Sequence, residues 1–405
     1  MSANMSLNEP ESYMENRLWQ LRAGQKAIPT GYHERRESGW PPWRPAGNGN
    51  NLAKRSPSPK LPSTRSGTDV SEKKFNVFGV GNAIVDILAV VDDAFISDCG
   101  LEKGGMTLME TDRQSEILTK LKSQDLKLAS GGSAANTMVA IAQSGGTGIY
   151  TGKVAADEHG QFYQGDMEAA GVESYLAPVN DSALPTGTSI ILTTPDAERT
   201  MCTHLGVSAT LHPTDVDLDR LADCQACYVE GYLWTGEDTR AACLATFEQA
   251  KKLGIKTTFT FSDLFLVDLF KDDFRSLVKE YCDVIFCNAD EARKFFDEED
   301  VAKCAELFGE ICELNFLTDG GNGCYVTSSE GVQLMPGFDV KAVDTVGAGD
   351  AFAGGALYGI TNDLSPAQSA KWGNFFASKV VEQFGPRLES PASLQDNPDN
   401  LLAGE

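Results

Sequence analysis

Short apolar runs alternate with longer amphipathic segments over most of the chain. Runs rich in β-branched and aromatic residues, such as "ACYVEGYL" and "DVIFCN", predict buried strands. Segments such as "EDTRAACLATFEQAKKLG" carry apolar residues at helical spacing and end at a glycine, which predicts helices. Strands that alternate with helices imply right-handed βαβ units. The predicted fold class is therefore α/β, with a doubly wound, mostly parallel sheet flanked by helices.

Hairpins interrupt this alternation. The sequence "TGTSIILTTPDAERTMCTHLG", within 184–206, reads as two strands around a turn at Pro195 and Asp196. A second hairpin passes through 323–335, "GCYVTSSEGVQLM". Because hairpins do not fit a βαβ unit, we expect them to form a small second sheet outside the main layer. The first apolar run, "FNVFGVGNAIVDILAVV", reads as a strand that is broken at its glycines.

The N-terminal part of the chain has a different composition. Residues 1–73 are rich in Pro, Gly, Ser and Asn and show no periodicity, which predicts a disordered extension. The extension could be a tail without function, a stretch ahead of the true start of translation, or a docking or regulatory arm, and the sequence leaves these interpretations open. Residues 74–398 are then expected to form a single folded domain.

Charge and cysteine content narrow the choice of partners and compartment. A formal net charge of -24 argues against nucleic acid as a partner. The sequence has no apolar run of about 18 residues that could span a membrane. We also expect no secretory signal, because the first 30 residues lack an apolar h-region. The ten cysteines lie mostly in apolar runs, which is typical of reduced thiols in a cytoplasmic protein. Cys224 and Cys227 form a lone CxxC, for which core packing is favoured over a metal or redox site.

Two familiar nucleotide-binding motifs fail when they are tested residue by residue. A dinucleotide fingerprint requires GxGxxG, but "GVGNAI" and "GAGDAF" place Ile84 and Phe352 at the third glycine. A Walker A loop requires GxxxxGK[ST], but "TGIYTGKV" has Thr147 at the first glycine and Val154 at the hydroxyl position. Neither an NAD-dependent enzyme nor a P-loop protein is supported.

The stretch "DTVGAGDAFAGG", residues 344–355, carries the main chemical signal. Gly347, Ala348 and Gly349 have little or no side chain, so their backbone N–H groups can approach a ligand closely. They stand where a helix begins, and a helix N-terminus favours an anion. Asp350 follows on the first turn, where it could accept a hydroxyl proton during phosphoryl transfer. The alternative is a tightly packed glycine turn in which Asp350 only caps the helix.

Three further motifs place polar residues at the ends of predicted strands or the starts of helices. "GGSAAN" sets two glycines before a helix that carries an asparagine near its first turn, and "GNAIVD" places Asn82 and Asp86 in an apolar strand. Asp86 requires a hydrogen bond there, from a ligand hydroxyl or a backbone amide. In "NADE", Asn288 and Glu291 share one helix face, either as a capping box or as a site for hydrated Mg2+ and phosphate.

The four motifs "GGSAAN", "NADE", "TDGGNG" and "DTVGAGDAFAGG", in this order, resemble the ribokinase-like (PfkB) carbohydrate and nucleoside kinases. The resemblance covers about 74–390 and is strongest to adenosine kinase-type members. It implies that Asp350 is the catalytic base, that the 347–349 backbone is the anion hole, and that ATP with Mg2+ is the phosphoryl donor. It also implies a small β-sheet lid near 87–110 and 184–206, with Arg199 reaching the transferred phosphate.

The resemblance also assigns binding residues. The implied acceptor site consists of Asn82, Asp86, Gly131, Gly132, Asn136, Arg199 and Tyr232. Tyr232 is expected to lie against the substrate or, equally, to be a strand residue packed beside the lid. The implied nucleotide site consists of Asn288, Glu291, Thr318, Gly320, Gly323 and Asn374. Glu291 would hold Mg2+ through water, and Asn374 would lie close to the adenine. Asp344 is expected to anchor its loop rather than to react.

The sequence therefore predicts an ATP-dependent kinase that phosphorylates the primary hydroxyl of an adenosine-like nucleoside. The alternatives are a ribose- or fructose-type sugar kinase of the same family and a catalytically inactive binding protein with this fold. The chain is expected to act as a monomer or as a homodimer through the lid. Activation by K+ is common in the family, and the sequence is compatible with it.

Overall fold

The computed structural model describes residues 73–180, 182–196 and 198–390, which form two β-sheets with flanking helices. The strands are β1 (Phe75–Val80), β2 (Ile84–Val90), β3 (Met106–Leu108), β4 (Lys127–Gly131), β5 (Gly148–Ala155), β6 (Glu173–Val179), β7 (Gly187–Thr193), β8 (Arg199–His204), β9 (Cys224–Glu230), β10 (Lys256–Thr260), β11 (Val284–Asn288), β12 (Leu314–Thr318), β13 (Cys324–Ser328) and β14 (Gly331–Met335). The helices are α1 (Asp93–Asp98), α2 (Thr111–Lys120), α3 (Ser133–Gln143), α4 (Glu158–Ala169), α5 (Glu237–Leu253), α6 (Leu264–Tyr281), α7 (Ala289–Phe296), α8 (Val301–Phe308), α9 (Ala348–Ile360) and α10 (Pro366–Val381). The predicted extension, apart from Lys73, and residues 391–398 of the predicted domain lie outside the described residues.

The larger sheet confirms the predicted parallel, doubly wound layer. Its strand order is β14-β13-β12-β11-β10-β9-β1-β5-β6, and every neighbouring pair from β12 to β6 is parallel. Val77 and Phe78 are adjacent in β1 and fully buried, yet they belong to different hydrophobic clusters. Because neighbouring side chains of a strand point to opposite faces, both faces of the sheet are covered.

The hairpin at 323–335 does not lie outside the main layer, so that prediction was wrong. Its strands, β13 and β14, extend the larger sheet as antiparallel neighbours of β12. Cys324 and Val326 of β13 are buried in the same hydrophobic cluster as Phe316 of β12. An antiparallel strand needs only a tight turn, so a hairpin can lengthen a parallel sheet at its edge.

The smaller sheet confirms the second sheet predicted from the hairpin at 184–206. Its order is β3-β8-β7-β2-β4, and β7 and β8 are antiparallel around the expected turn. Ile87 of β2 and Ile190 of β7 pack against Ile117 of α2 in one buried cluster. The predicted lid segments supply most of this sheet, while β4 comes from a stretch that the pattern did not mark as a strand.

The chain crosses between the two sheets through a narrow region. β1 of the larger sheet ends at Val80, and β2 of the smaller sheet begins at Ile84 after only a short link. The return crossing, from β4 to α3, passes Gly132 (φ 95), where a Cβ atom would overlap the backbone carbonyl oxygen of Asn82. Only glycine allows the two crossing segments to approach so closely.

The cysteine pair and the helix lengths agree with the remaining sequence expectations. Cys224 and Cys227 are buried in the hydrophobic core on β9, and burial raises the pKa of each thiol to about 12. Core packing is therefore the role that their surroundings support. None of the helices in the described part of the chain combines the length and apolar character needed to cross a membrane.

Candidate active site

A cleft with a volume of about 100 Å³ opens at the carboxyl ends of the central parallel strands. In open α/β sheets this edge is the usual place for ligands. Thr260, Asn288 and Thr318 close the ends of β10, β11 and β12, and the first turn of α9 faces them. The lining residues are Ser133, Thr260, Ser262, Phe286, Cys287, Asn288, Glu291, Phe316, Thr318, Gly349, Asp350 and Phe352.

Asp350 is held in the cleft by two side chains of α3. The hydroxyl of Ser133 donates to Oδ1 at 2.6 Å, and the amide of Asn136 donates to Oδ2 at 3.1 Å. Burial raises the pKa of Asp350 to about 6, while both hydrogen bonds and the charge of Arg387 oppose the rise. A carboxylate with this pKa is ionised at neutral pH and still basic enough to accept a proton. The capping alternative is wrong, because Gly347 is the N-cap of α9 and the Asp350 side chain bonds to α3.

The backbone before Asp350 has the form expected of an anion-binding turn. Gly347 adopts φ 75, and a Cβ atom at this position would lie 2.5 Å from the Cα of Pro386. The first N–H groups of an α-helix have no acceptor within the helix. Gly349 lines the cleft and has open space around it, so the first turn of α9 is accessible to a ligand. Ala348 begins the helix between the two glycines.

Asn288 and Glu291 form a capping box and also line the cleft. The Asn288 side chain accepts from the Glu291 N–H at 2.9 Å, and Glu291 accepts from the Asn288 N–H at 2.9 Å. Glu291 is almost fully buried, and burial raises its pKa to about 8. The capping reading is therefore confirmed, and the metal reading remains a prediction that the position in the cleft allows.

These residues suit Mg2+ held through water rather than by a cage of protein ligands. The part of the chain that the structure describes has no cluster of three His, Cys, Asp or Glu side chains able to hold a metal. Oxygen atoms of Asn288, Glu291 and the nearby hydroxyls are the ligand type that hydrated Mg2+ prefers. A bound cation would also favour the ionised form of Glu291, which burial alone disfavours.

Asn82 binds a protein carboxylate. Its backbone N–H and its side-chain amide donate to Oε1 of Glu230 at 2.8 and 2.9 Å, and Oε2 of Glu230 accepts from the Ala134 N–H at 2.8 Å. The oxygen of the Asn82 side chain accepts from Ser208 at 3.2 Å. The predicted role of Asn82 toward a sugar hydroxyl thus competes with contacts that tie the link between β1 and β2 to α3 and β9.

Asp86 and the glycines of "GGSAAN" lie together at the start of the smaller sheet. Asp86 is buried, and a Cβ atom at Gly131 would overlap its carboxylate. Burial raises the pKa of Asp86 to about 7, against the charges of Arg387 and Arg199. Gly132 is the N-cap of α3, which places Asn136 beside Asp350. The structure therefore brings these predicted acceptor residues close to the predicted base.

Arg199 contacts Asp344, which lies just before the first turn of α9, and it is not among the described residues that line the cleft. It forms a buried ion pair with Asp344, and its Nε and Nη1 atoms have no hydrogen-bond partner among the described residues. Asp344 also accepts from the N–H groups of Val346 (3.1 Å) and Gly385 (2.8 Å). These contacts confirm that Asp344 anchors its loop.

Tyr232 packs against the hydrophobic core of the larger sheet. It belongs to a short 3-10 turn, Gly231–Thr235, so its prediction as a strand residue was wrong. Its ring packs against Phe265, and its hydroxyl donates to Asp263 at 3.3 Å. The described lining of the cleft does not include Tyr232.

The predicted nucleotide residues form two groups. Thr318 lines the cleft with Asn288 and Glu291. Gly323 and Asn374 meet at the end of β14, where Asn374 donates to the carbonyl oxygens of Met335 (3.0 Å) and Pro336 (3.1 Å). A Cβ atom at Gly323 would overlap the Met335 oxygen, and Gly320 begins the turn before it. This second group borders the same end of the sheet without lining the described cleft.

Several residues at the site were missed by sequence reasoning. Ser133 lies inside the quoted "GGSAAN", and its hydroxyl was overlooked as an Asp350 partner. Glu230 is a lone carboxylate in the apolar run "YVEGYL", which is a usable signal for a buried polar role. Arg387 stands in "GPRLES" near the end of the domain, where the pattern of the sequence gave no signal.

Comparison with known proteins agrees with this geometry. Residues 101–393 match the pfkB family carbohydrate kinase domain. The adenosine kinase of Sinorhizobium meliloti is 35% identical, covers 80% of this chain and 98% of its own, and has a TM-score of 0.73. A probable sugar kinase of Rhizobium etli is 34% identical, covers 81% and 99%, and has a TM-score of 0.75. Adenosine kinase of Saccharomyces cerevisiae is 28% identical over 332 residues, 77% of this chain and 96% of the yeast protein. Since the match spans most of the chain and both bacterial structures share its fold, the protein belongs to the PfkB family of carbohydrate kinases.

Proposed function

We propose that the protein transfers the terminal phosphoryl group of ATP to the primary hydroxyl of an adenosine-like nucleoside. The observation that carries this proposal is the position of Asp350. Its carboxylate lies in the cleft on the first turn of α9, where Ser133 and Asn136 orient it, and the N-terminus of α9 just before it is open to an anion. A proton acceptor next to an anion site is what phosphoryl transfer to an alcohol requires.

In the proposed reaction Asp350 accepts the proton of the acceptor hydroxyl. The hydroxyl oxygen forms a bond to the terminal phosphorus while the bond from that phosphorus to the ADP oxygen breaks. ADP leaves with the electron pair of that bond, and the first-turn N–H groups of α9 stabilise the negative charge that develops on the transferred group. Mg2+, held through water by Asn288 and Glu291, would neutralise phosphate charge.

The smaller sheet is the proposed lid over the acceptor. Arg199 of β8 would bind the transferred phosphate, for which it would have to leave Asp344 or share its free nitrogen atoms with both groups. Exclusion of water by such a lid prevents hydrolysis of ATP. Arg199→Met should therefore raise the KM of the acceptor and the ratio of ATP hydrolysis to transfer.

Adenosine leads as the acceptor, and a sugar is the alternative. The Sinorhizobium meliloti relative carries the name adenosine kinase, and the Rhizobium etli relative is described as a probable sugar kinase at nearly the same identity. ADP release measured with adenosine, inosine, ribose and fructose ranks these acceptors directly. Binding without ADP release in any mixture would favour the inactive binding protein.

Replacement of the base tests the mechanism. Asp350→Asn should lower kcat by about 10²–10⁴-fold, the usual contribution of a positioned base, with ATP binding retained. Asp363→Asn is a matched control, because Asp363 is exposed just beyond the other end of α9 and its left-handed backbone (φ 62) suits asparagine. Unchanged turnover in Asp350→Asn would remove Asp350 as the base.

Three further proposals accompany this function. Buried free thiols such as Cys243 and Cys324 suit a reducing compartment, and we place the protein in the cytoplasm. Exposed apolar side chains on the smaller sheet, Val90 at 71% and Leu128 at 42%, could pair two copies through the lid, which light scattering would detect as a homodimer. Exchange of K+ for Na+ in the assay measures monovalent-cation activation.

A further inference from the structure

The segment after α10 contacts the loop that carries the predicted anion site. The N–H of Gly385 donates to Asp344 at 2.8 Å, and Pro386 packs directly on Gly347. Leu388 is buried in a hydrophobic cluster with α10, which fixes the segment on both sides of Arg387. The segment 385–388 is thus part of the surroundings of the site, although it lies near the end of the folded domain.

Arg387 reaches from this segment to the residues that hold Asp350. Its Nε donates to Oδ1 of Asn136 at 2.8 Å, and its Nη1 donates to the hydroxyl of Ser130 at 2.9 Å and approaches Asp166 at 3.5 Å. A guanidinium can only donate hydrogen bonds. The oxygen of the Asn136 amide must therefore face Arg387, and its NH2 group is left to donate to Asp350 at 3.1 Å.

We propose that Arg387 is a positioning residue that fixes the orientation of the Asn136 amide and, through it, the carboxylate of Asp350. Without the guanidinium, the Asn136 amide could rotate and present its oxygen to the carboxylate, which would repel it. Ser133 alone would then hold Asp350, through a single flexible hydroxyl. As a role in phosphoryl transfer, this inference rests on the proposed function, but the orientation of the carboxylate can be tested without it.

A purely structural role for Arg387 is the competing explanation. Asp166 already accepts from the N–H of Ser130 at 2.9 Å and from its hydroxyl at 2.5 Å, so its carboxylate has partners besides Arg387. The Nε contact to Asn136 is shorter than the Asp166 contact, and Asn136 itself donates to Asp350. Loss of Arg387 should therefore change the site more than it changes the folding of α4.

Several charged groups surround the guanidinium and determine the sign of the pH effect. Asp86, Asp166, Asp350 and the buried Tyr163 lie near it, and Arg199 acts on Asp86 from the smaller sheet. Burial raises the pKa values of Asp350 and Asp86, and the charge of Arg387 lowers both. Removal of the charge should thus raise both pKa values, so that the base becomes protonated at a higher pH.

The test compares Arg387→Met, Arg387→Lys and Asn136→Ala with the unaltered full-length protein. Carbon-13 labelling of aspartate gives the pKa of Asp350 by NMR titration, with Asp350→Asn assigning the signal. We expect Arg387→Met to raise this pKa by about one pH unit and to shift the acidic limb of kcat equally. The KM of ATP should change less than about twofold, whereas kcat falls about tenfold or more. Arg220→Met, which removes an ion pair to Glu173 far from the cleft, is the control for destabilisation.

Arg387→Lys distinguishes the effect of the Asn136 orientation from the effect of the positive charge at position 387. Lysine keeps the charge but cannot donate to Asn136 and Ser130 with the fixed fork of arginine. In Arg387→Lys kcat should therefore stay low, and the pKa of Asp350 should rise less than in Arg387→Met, because only the hydrogen bond from Asn136 is lost. The double variant of Arg387→Met with Asn136→Ala should lose little more activity than Asn136→Ala alone. An unchanged pKa in Arg387→Met, full activity in Arg387→Lys, or additive losses in the double variant would each overturn the proposal. If the pKa of Asp350 rises in Arg387→Lys as well as in Arg387→Met, but neither the variants nor the original protein phosphorylates any acceptor, the positioning role stands and the proposed function fails.

Discussion

Replacement of Asp350 by asparagine should make the protein more stable while it removes activity. The carboxylate is ionised at neutral pH in a partly buried site, where burial raises its pKa to about 6. An unfolded aspartate has a pKa of about 3.9. Asparagine carries no charge. Its side-chain oxygen can accept from the Asn136 amide, and its NH2 group can donate to the Ser133 hydroxyl, because a hydroxyl can accept as well as donate. The substitution therefore removes the cost of the charge and keeps one hydrogen bond to each of Ser133 and Asn136.

The size of the gain follows from the two pKa values. Their difference of about two units corresponds to about 3 kcal/mol as an upper limit, and partial exposure reduces the expected gain to about 1–3 kcal/mol. Because the folded pKa is raised, the native carboxyl binds a proton between about pH 4 and 6 when the unfolded one does not. The stability of the unaltered protein therefore falls as the pH rises through this window. The advantage of Asp350→Asn should be complete above about pH 7 and about half as large at pH 5.

Thermal and urea unfolding at pH 5 and pH 8 measure this difference, with Asp363→Asn as the control. At pH 8 we expect the melting temperature of Asp350→Asn to exceed that of the unaltered protein by about 2–6 °C. The reasoning fails if the variant is less stable at pH 8. It also fails if the gain is the same at both pH values, because ionisation would then not be its source.

Three other substitutions test contacts around the site. Arg199→Met leaves Asp344 buried without its cation and should lower the free energy of unfolding by about 3–5 kcal/mol, measured by urea titration; a loss below about 1 kcal/mol would contradict a buried pair. Gly347→Ala forces an alanine into a left-handed conformation against Pro386, so both kcat and the melting temperature should fall. A normal kcat would argue against an anion-binding role of the backbone at 347–349. Glu230→Gln replaces one acceptor oxygen by an NH2 group that faces a backbone N–H. The free energy of unfolding at pH 8, from the same titration, should fall by about 1–3 kcal/mol. An unchanged value would mean that these hydrogen bonds contribute little.

The fold could be predicted from the sequence wherever the decisive information is local. The strand and helix alternation and the break after Val80 come from residues close together in the chain, and the structure confirms them. The hairpin at 323–335 was assigned to the wrong sheet because its partner strand depends on tertiary packing against Phe316. Local periodicity predicts that a strand exists, but it does not predict which sheet the strand joins.

The candidate site was predictable only in part, for a similar reason. Asp350 stands in a local motif whose glycines and carboxylate together predict an anion-binding backbone beside a proton acceptor. Arg387 bonds to Asn136 across 251 positions of sequence, and Glu230 bonds to Asn82 across 148. A lone arginine in a segment with glycine and proline resembles an exposed loop residue. The predicted ligand contact of Asn82 shows the opposite difficulty, because a polar residue in an apolar strand can bind protein groups instead of substrate.

The narrow crossing between the two sheets limits how the smaller sheet can move. Gly132 and Asn82 are in backbone contact there, and Glu230 holds both Asn82 and Ala134 from the larger sheet. A pull that separated the sheets would have to break these hydrogen bonds first, whereas a rotation about the crossing would preserve them. The smaller sheet can therefore rotate relative to the larger one about a hinge beside Asp86. Its displacement should be largest at the opposite end of the smaller sheet, near α1. Distances between spin labels placed on the two sheets should change near α1 and stay constant beside Asp86.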